Sequence, residues 1–330
     1  MSKATSATVS DAVRAGVDVF EDAPELPDFI ARQFPQRRRA LRLTRGDDAG
    51  RRMVFVDHGE TTARPVLMIH GNPTWSFLWR KVIDALGRRS DDSGGFRAIA
   101  PDLLGLGASD PLPAMADHAV ARHAATVVEL VERLDLRDLV LVGQDWGGPI
   151  ATVAAASMPE RVSAAVFGNT AVCLPKHPRG TAFHRFARLP LVSDLVFRGL
   201  NFPQNILHRI QGDRSSIRGD VARAYRWPLR RWSDRGTPLA LARMVPDGPD
   251  HPSMPPMRRG ERWLTEGDFP VALVWGEKDP ILGFALRRHR RALPRAEVTT
   301  TQAGHFLQEE VPEALADAIE AVARRVSPTG

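Results

Sequence analysis

The chain has 330 residues, 43% of them hydrophobic and 25% charged, a balance that fits a packed soluble protein and excludes a disordered one. Its formal charge of +6 comes from 45 Lys and Arg against 39 Asp and Glu, spread along the sequence with Arg37-Arg38-Arg39 as the longest basic run, so no nucleic-acid partner is expected. Cys173 is the only cysteine, which excludes an internal disulfide and a thiolate cage for a metal.

At the start of the chain, no basic segment leads into a sustained apolar run, and Asp11, Asp18, Glu21 and Asp22 argue against an organellar leader. No apolar stretch approaches bilayer-spanning length, so no membrane partner is expected and the expected location is the cytoplasm. The stretch to about Gln36 reads as loose surface helix. Strands follow at Ala40–Leu43, Met53–Asp57 and Pro65–Ile69, the last running into the loop His70-Gly71-Asn72-Pro73. Another strand, Arg97–Ala100, ends in Pro101-Asp102, and helical periodicity runs from Ala116 to Leu134. Leu139–Val142 is a short apolar run that reads as a buried strand, Gly147–Ala156 as a closely packed helix of small residues, and Ser163–Gly168 as a strand. Cys173 to Trp263 is rich in Arg, Pro and aromatics, with short helical patches and no strand. Regular alternation returns with strand Val271–Trp275, helix Phe284–Ala292, strand Glu297–Thr301 and helix Pro312–Val326.

Strands alternating with helices predict an α/β fold with a mostly parallel sheet covered on both faces. Residues 1–170 and 264–330 would form the core, and 171–263 a helical cap over the carboxyl ends of the strands, where open α/β sheets bind ligands.

Chemistry concentrates at Gly143-Gln144-Asp145-Trp146-Gly147, which has the glycine frame of a nucleophile elbow with aspartate in place of serine. A carboxylate on such a strand–turn–helix junction is ionised near neutral pH and can attack carbon without first losing a proton. A carboxylate ester then needs a base to activate water, an acid to orient that base, and donors for the oxyanion. His305 follows the last predicted strand and Asp279 follows the one before it, giving the order nucleophile, acid, histidine of α/β-hydrolases. Asp102, Asp110 and Glu277 compete with Asp279. The first two flank the turn Gly105-Leu106-Gly107, where they can satisfy backbone donors. The backbone of Asn72 and the amide of Trp146 can receive an oxyanion, and their side-chain N–H groups can make an uncharged anion cradle. Equally, Trp146 can pack the core and Asn72 can cap a turn.

Together these residues resemble the haloalkane dehalogenases of the α/β-hydrolase superfamily. The likeness rests on His70-Gly71-Asn72-Pro73-Thr74-Trp75, Pro101-Asp102-Leu103-Leu104-Gly105-Leu106-Gly107, Gly143-Gln144-Asp145-Trp146-Gly147-Gly148 and Gly304-His305-Phe306-Leu307-Gln308-Glu309. It implies an α/β-hydrolase fold and hydrolysis of an alkyl halide to a primary alcohol and halide. In these roles Asp145 is the nucleophile, Asn72 and Trp146 hold the halide, His305 is the base and Asp279 the acid. It also implies a small apolar halogenated substrate, with water and halide as the other partners and no cofactor or metal. The branch implied carries its acid after the penultimate strand, because Asn169 stands after the preceding one.

Other aspartate-nucleophile hydrolases are the alternatives. Epoxide hydrolases generally need two lid tyrosines, whereas Tyr225 is the single tyrosine here. Fluoroacetate-type enzymes usually follow the aspartate with arginine, and this chain has Trp146. A luciferase-like oxygenase would differ only in the pocket, and a non-catalytic binding scaffold would have lost one of the site positions.

Overall fold

Phe20–Asp22 forms a short edge strand, β1, that the sequence pattern did not mark; it pairs antiparallel with β2 (Arg38–Arg42). The computed structural model describes residues 20–89, 95–179 and 182–326. Residues 1–19, part of the stretch read as loose helix, lie outside them; within the remainder only one turn, Asp28–Ala31, is α-helical.

The other strands are β3 (Arg52–His58), β4 (Arg64–Ile69), β5 (Phe96–Pro101), β6 (Leu139–Asp145), β7 (Val162–Thr170), β8 (Val271–Gly276) and β9 (Glu297–Thr301). They form one nine-stranded sheet in the order β1-β2-β3-β5-β4-β6-β7-β8-β9. β1, β2, β3 and β5 pair antiparallel in sequence along one side, and every pair from β5 across to β9 is parallel.

Side chains alternate across the central strands, and this splits the apolar residues into two cores. Val66, Met68, Val140, Val142, Ala164 and Val166 share one core with Val82 and Leu86 of α1 (Arg80–Gly87). Leu67, Ile69, Leu139, Leu141, Ala165 and Phe167 share the other with Val127 and Leu130 of α2 (Val120–Arg133) and Ile150 of α3 (Gly147–Ala155). Burial on both faces explains why β6 reads as an unbroken apolar run rather than an alternating one. Each such Leu or Val contributes roughly 1.5–3 kcal/mol by leaving water.

Between β7 and β8 the described residues form helices and turns. These include α4 (Ala182–Ala187), α5 (Gly219–Arg226), α6 (Gly236–Arg243) and α7 (Met254–Glu266). α7 packs on α3 at close range: a Cβ on Gly260 would lie 2.7 Å from Thr152 Oγ1. The chain returns to the sheet through β8, α8 (Leu286–Ala292), β9 and α9 (Pro312–Arg324), whose Leu315, Ile319 and Val322 enter the core beside α1. Among the described residues no helix is long and apolar enough to cross a membrane.

Candidate active site

β6 ends on Asp145, whose φ of +52° lies in the left-handed region. For a residue with a Cβ that conformation costs about 1–2 kcal/mol, so the neighbours must hold it. Two of them, Gly147 and Gly71, are glycines because nothing larger fits. A Cβ on Gly147 would sit 1.9 Å from the Ile69 carbonyl oxygen, and one on Gly71 would sit 2.4 Å from Asp145 Cβ. The Thr170 hydroxyl donates to the Asp145 carbonyl at 2.6 Å, and the Asn72 backbone N–H donates to Asp145 Oδ1 at 2.7 Å. The carboxylate is thereby aimed out of the strand end with its other oxygen, Oδ2, free to face a partner.

That partner is His305, in the loop after β9. Its Nε2 stands 3.5 Å from Asp145 Oδ2, and its Nδ1 is 2.8 Å from Asp279 Oδ2. The His305 backbone N–H donates to Ile210 O of the helical segment, at 2.9 Å, so that segment helps fix the loop. Burial by itself would lower the His305 pKa. The Asp279 and Asp145 carboxylates outweigh it and push the pKa up, to about 10. Burial would also raise the Asp279 pKa, but the charge and hydrogen bond of His305, with the Ile281 N–H and Asn169, hold it below its ordinary value.

The competitors of Asp279 are occupied elsewhere. Asp102 accepts the backbone N–H groups of Ser76 and Ala108, each at 2.8 Å, and Asp110 accepts that of Arg52 at 2.8 Å. Glu277 is exposed and receives the Gln302 amide. His70 is buried with Nε2 accepting the Leu103 N–H; burial lowers its pKa to about 4, so it stays neutral.

Asn72 donates its backbone N–H to the Asp145 carboxylate, and Trp146 is the next residue along the chain. One Nδ2 hydrogen of Asn72 goes to the Pro238 carbonyl at the start of α6, at 3.0 Å, which leaves the second hydrogen of that amide. Trp146 is 7% exposed at the N-terminus of α3, and its indole N–H has no hydrogen-bond partner among the described residues.

Sequence reasoning missed three supporting groups. Asn169, with φ +35° at the end of β7, donates Nδ2 to Asp279 Oδ2 at 2.6 Å and accepts the Gly276 N–H on Oδ1 at 2.7 Å. Gln144 is fully buried beneath the histidine, with Nε2 donating to His305 O at 3.0 Å and standing 3.3 Å from its Nε2. Behind the same loop, Glu309 pairs with Arg80 at 2.5 and 2.9 Å and with Lys81 at 3.0 Å, and accepts the Tyr225 hydroxyl at 2.6 Å. The motif quoted as far as Glu309 contained that signal, but its partners are far away in sequence. Two cavities, of about 570 and 770 Å³, open elsewhere: one beside Gln204 and Arg218, the other beside Thr61 and Arg137. The chemistry is concentrated instead at the end of β6.

A family model described as alpha/beta hydrolase fold matches residues 64–312. A haloalkane dehalogenase of Mycolicibacterium paratuberculosis is 30% identical over 303 residues, covering 91% of this chain and 94% of that protein. Haloalkane dehalogenase 2 of Mycobacterium tuberculosis is 31% identical over 324 residues, covering 91% of this chain and 97% of its own length. The tetrameric haloalkane dehalogenase of Paraglaciecola agarilytica NO2 superposes with a TM-score of 0.74 over 94% of this chain and 99% of that one, at 24% identity, a likeness of fold. An aspartate-bearing elbow within a sheet of this order, and relatives alike over nearly their whole length, place this chain in the haloalkane dehalogenase family of the α/β-hydrolase fold.

Proposed function

We propose that the protein hydrolyses haloalkanes, converting an alkyl halide and water to a primary alcohol, halide and a proton through an ester on Asp145. Asp145 Oδ2 attacks the carbon bearing the halogen, a C–O bond forms as the C–X bond breaks, and the electron pair leaves with the halide. Trp146 Nε1–H and the second Nδ2 hydrogen of Asn72 are the donors offered to that anion. His305 has no part in this step.

Ester formation removes the Asp145 charge, one of the two carboxylates that hold the proton on His305. The imidazole then gives up its Nε2 proton more readily and becomes the base that deprotonates water for attack on the ester carbonyl. The oxyanion forms at the oxygen already held by the Asn72 backbone N–H, with the Trp146 amide as second donor, and collapses to free alcohol and carboxylate. Asp279, fixed by Asn169 and the Ile281 N–H, orients the imidazole and stabilises its charged form. The helical segment between β7 and β8 serves as the lid, in contact with the site through Pro238 and Ile210.

The observation that carries this reading is one imidazole set between two carboxylates, 2.8 Å from the buried one and 3.5 Å from the one on the elbow. The epoxide alternative loses support at Tyr225, the single tyrosine, whose hydroxyl is buried on Glu309. Halide release should be measured with chloro-, bromo- and iodoalkanes beside epoxide and ester controls, for the wild type and Asp145→Asn. Halide release by the wild type and its loss in the variant are expected; binding without turnover of any of them overturns the proposal.

A further inference from the structure

Within the helical segment, residues 189–200 fold back on themselves. The N–H groups of Val192, Ser193 and Leu195 bond to the carbonyls of Pro190, Leu189 and Leu191, and that of Leu200 bonds to Leu195 O. This turn leaves Leu189, Leu191, Val192, Leu195 and Leu200 half or more exposed, with Leu191 at 83%. Trp232, 50% exposed, adjoins them: a Cβ on Gly199 would meet both Leu195 Cδ1, at 3.1 Å, and Trp232 Cζ3, at 3.5 Å. Arg235 joins the two stretches by donating to the carbonyls of Arg198, Gly199, Leu229 and Arg230. Leu191 has φ +62°, a strained conformation for a leucine that here brings no burial. Six large exposed apolar side chains in two adjoining stretches exceed what scattered surface residues supply.

The surrounding charge selects the occupant. Residues 182–200 and 227–235 carry Arg185, Arg188, Arg198, Arg230, Arg231 and Arg235 against Asp194 and Asp234. Asp194 is already engaged by Arg198 and Arg243, and Arg188 by Asp247. Among the described residues, Arg185, Arg230 and Arg231 are exposed and have no carboxylate in ion-pair range, whereas Arg235 is held by the four carbonyls. A two-fold pairing of this face with a second copy would set the arginine collar against itself. An anionic bilayer neutralises the collar and receives the apolar tips at its headgroup boundary.

The expectation of no membrane partner rested on the lack of a spanning stretch, which does not bear on surface docking; we propose that this face docks on anionic lipid bilayers, the leucines and Trp232 inserted at the interface and Arg185, Arg230 and Arg231 on lipid phosphates. Resting on the proposed dehalogenase activity, docking would set the lid against the phase in which apolar haloalkanes accumulate. The test is co-sedimentation of the full chain with vesicles of phosphatidylcholine alone or mixed with phosphatidylglycerol. The wild type is expected to bind the mixed vesicles, less so as salt is raised, and to bind pure phosphatidylcholine weakly. The double variant Leu191→Ser/Leu195→Ser should bind the mixed vesicles about tenfold less. Its halide release from a water-soluble bromoalkane, without vesicles, should equal that of the wild type, which reports that it is folded. The proposal is overturned if the wild type stays in the supernatant, if the double variant binds equally well, or if ultracentrifugation shows an oligomer that the substitutions dissociate. Failure to release halide in every sample would instead overturn the dehalogenase reading and leave the vesicle result to stand alone.

Discussion

Asn169 Nδ2 donates to Asp279 Oδ2 at 2.6 Å, on the same carboxylate oxygen that holds His305 Nδ1 at 2.8 Å. Asn169 also bonds to the Gly276 N–H, so a single carboxamide spans the ends of β7 and β8 and sets where the acid stands. Asn169→Ala should leave buried groups unpaired at about 1–3 kcal/mol each and lower kcat by about tenfold, with KM changing less. Urea unfolding and steady-state halide release check both parts. Wild-type kcat in a destabilised variant would reduce Asn169 to a purely structural residue.

Gly71 is adjacent to Asn72, and a Cβ there would collide with Asp145 Cβ and Oδ1 at 2.4 Å. Gly71→Ala must therefore move the carboxylate. A displacement on the order of 1 Å at the reacting atom is worth about a hundredfold in rate. Circular dichroism should show a folded protein while halide release falls by that order.

The Arg80–Glu309–Tyr225 cluster ties α1, the loop that carries His305, and helix α5 together in a buried site. Arg80→Met leaves the Glu309 carboxylate short of its bidentate partner and should destabilise by about 3–5 kcal/mol in urea unfolding. Tyr225→Phe removes one bond to a charged group and should cost about 1.5–3 kcal/mol with kcat unchanged. Burial would raise the Glu309 pKa, but Arg80, Lys81 and Tyr225 hold it below its ordinary value. Its contribution to stability is therefore present above the unfolded-state pKa and is lost as pH falls through the folded one. Urea unfolding free energies of the wild type and Glu309→Gln should therefore converge as pH falls through the folded pKa.

His305 has the opposite sign. Despite its burial, the two flanking carboxylates raise its folded pKa from 6.5 to about 10, so the native state binds more protons than the unfolded state between those values. Stability from this group is complete below pH 6.5 and is lost as pH rises through the folded pKa. The wild type should lose stability toward alkaline pH faster than His305→Phe, as measured by urea unfolding across that window.

Asp145, Trp146, Asn72, His305 and Asp279 could be singled out because each lies three or four residues past a stretch that reads as a strand, and strand ends in a parallel sheet converge. The supporting residues could not. Asn169 matters through β8, its neighbour in the sheet, and Gln144 through a loop reached only when β9 takes its place at the edge. Glu309 meets Arg80 across a separation of 229 positions. Helix α1 was not marked because eight residues, following the 3₁₀ turn Ser76–Trp79, give too little periodicity. Strand β1 is three residues long and depends on its pairing with β2.

The most direct test of the ester on Asp145 is intact-protein and peptide mass spectrometry of His305→Phe after exposure to a 1-bromoalkane. Without the base, alkylation should proceed and hydrolysis stop, leaving one added alkyl group on the peptide that contains Asp145. Normal turnover by this variant, or an adduct on any other residue, would contradict the mechanism.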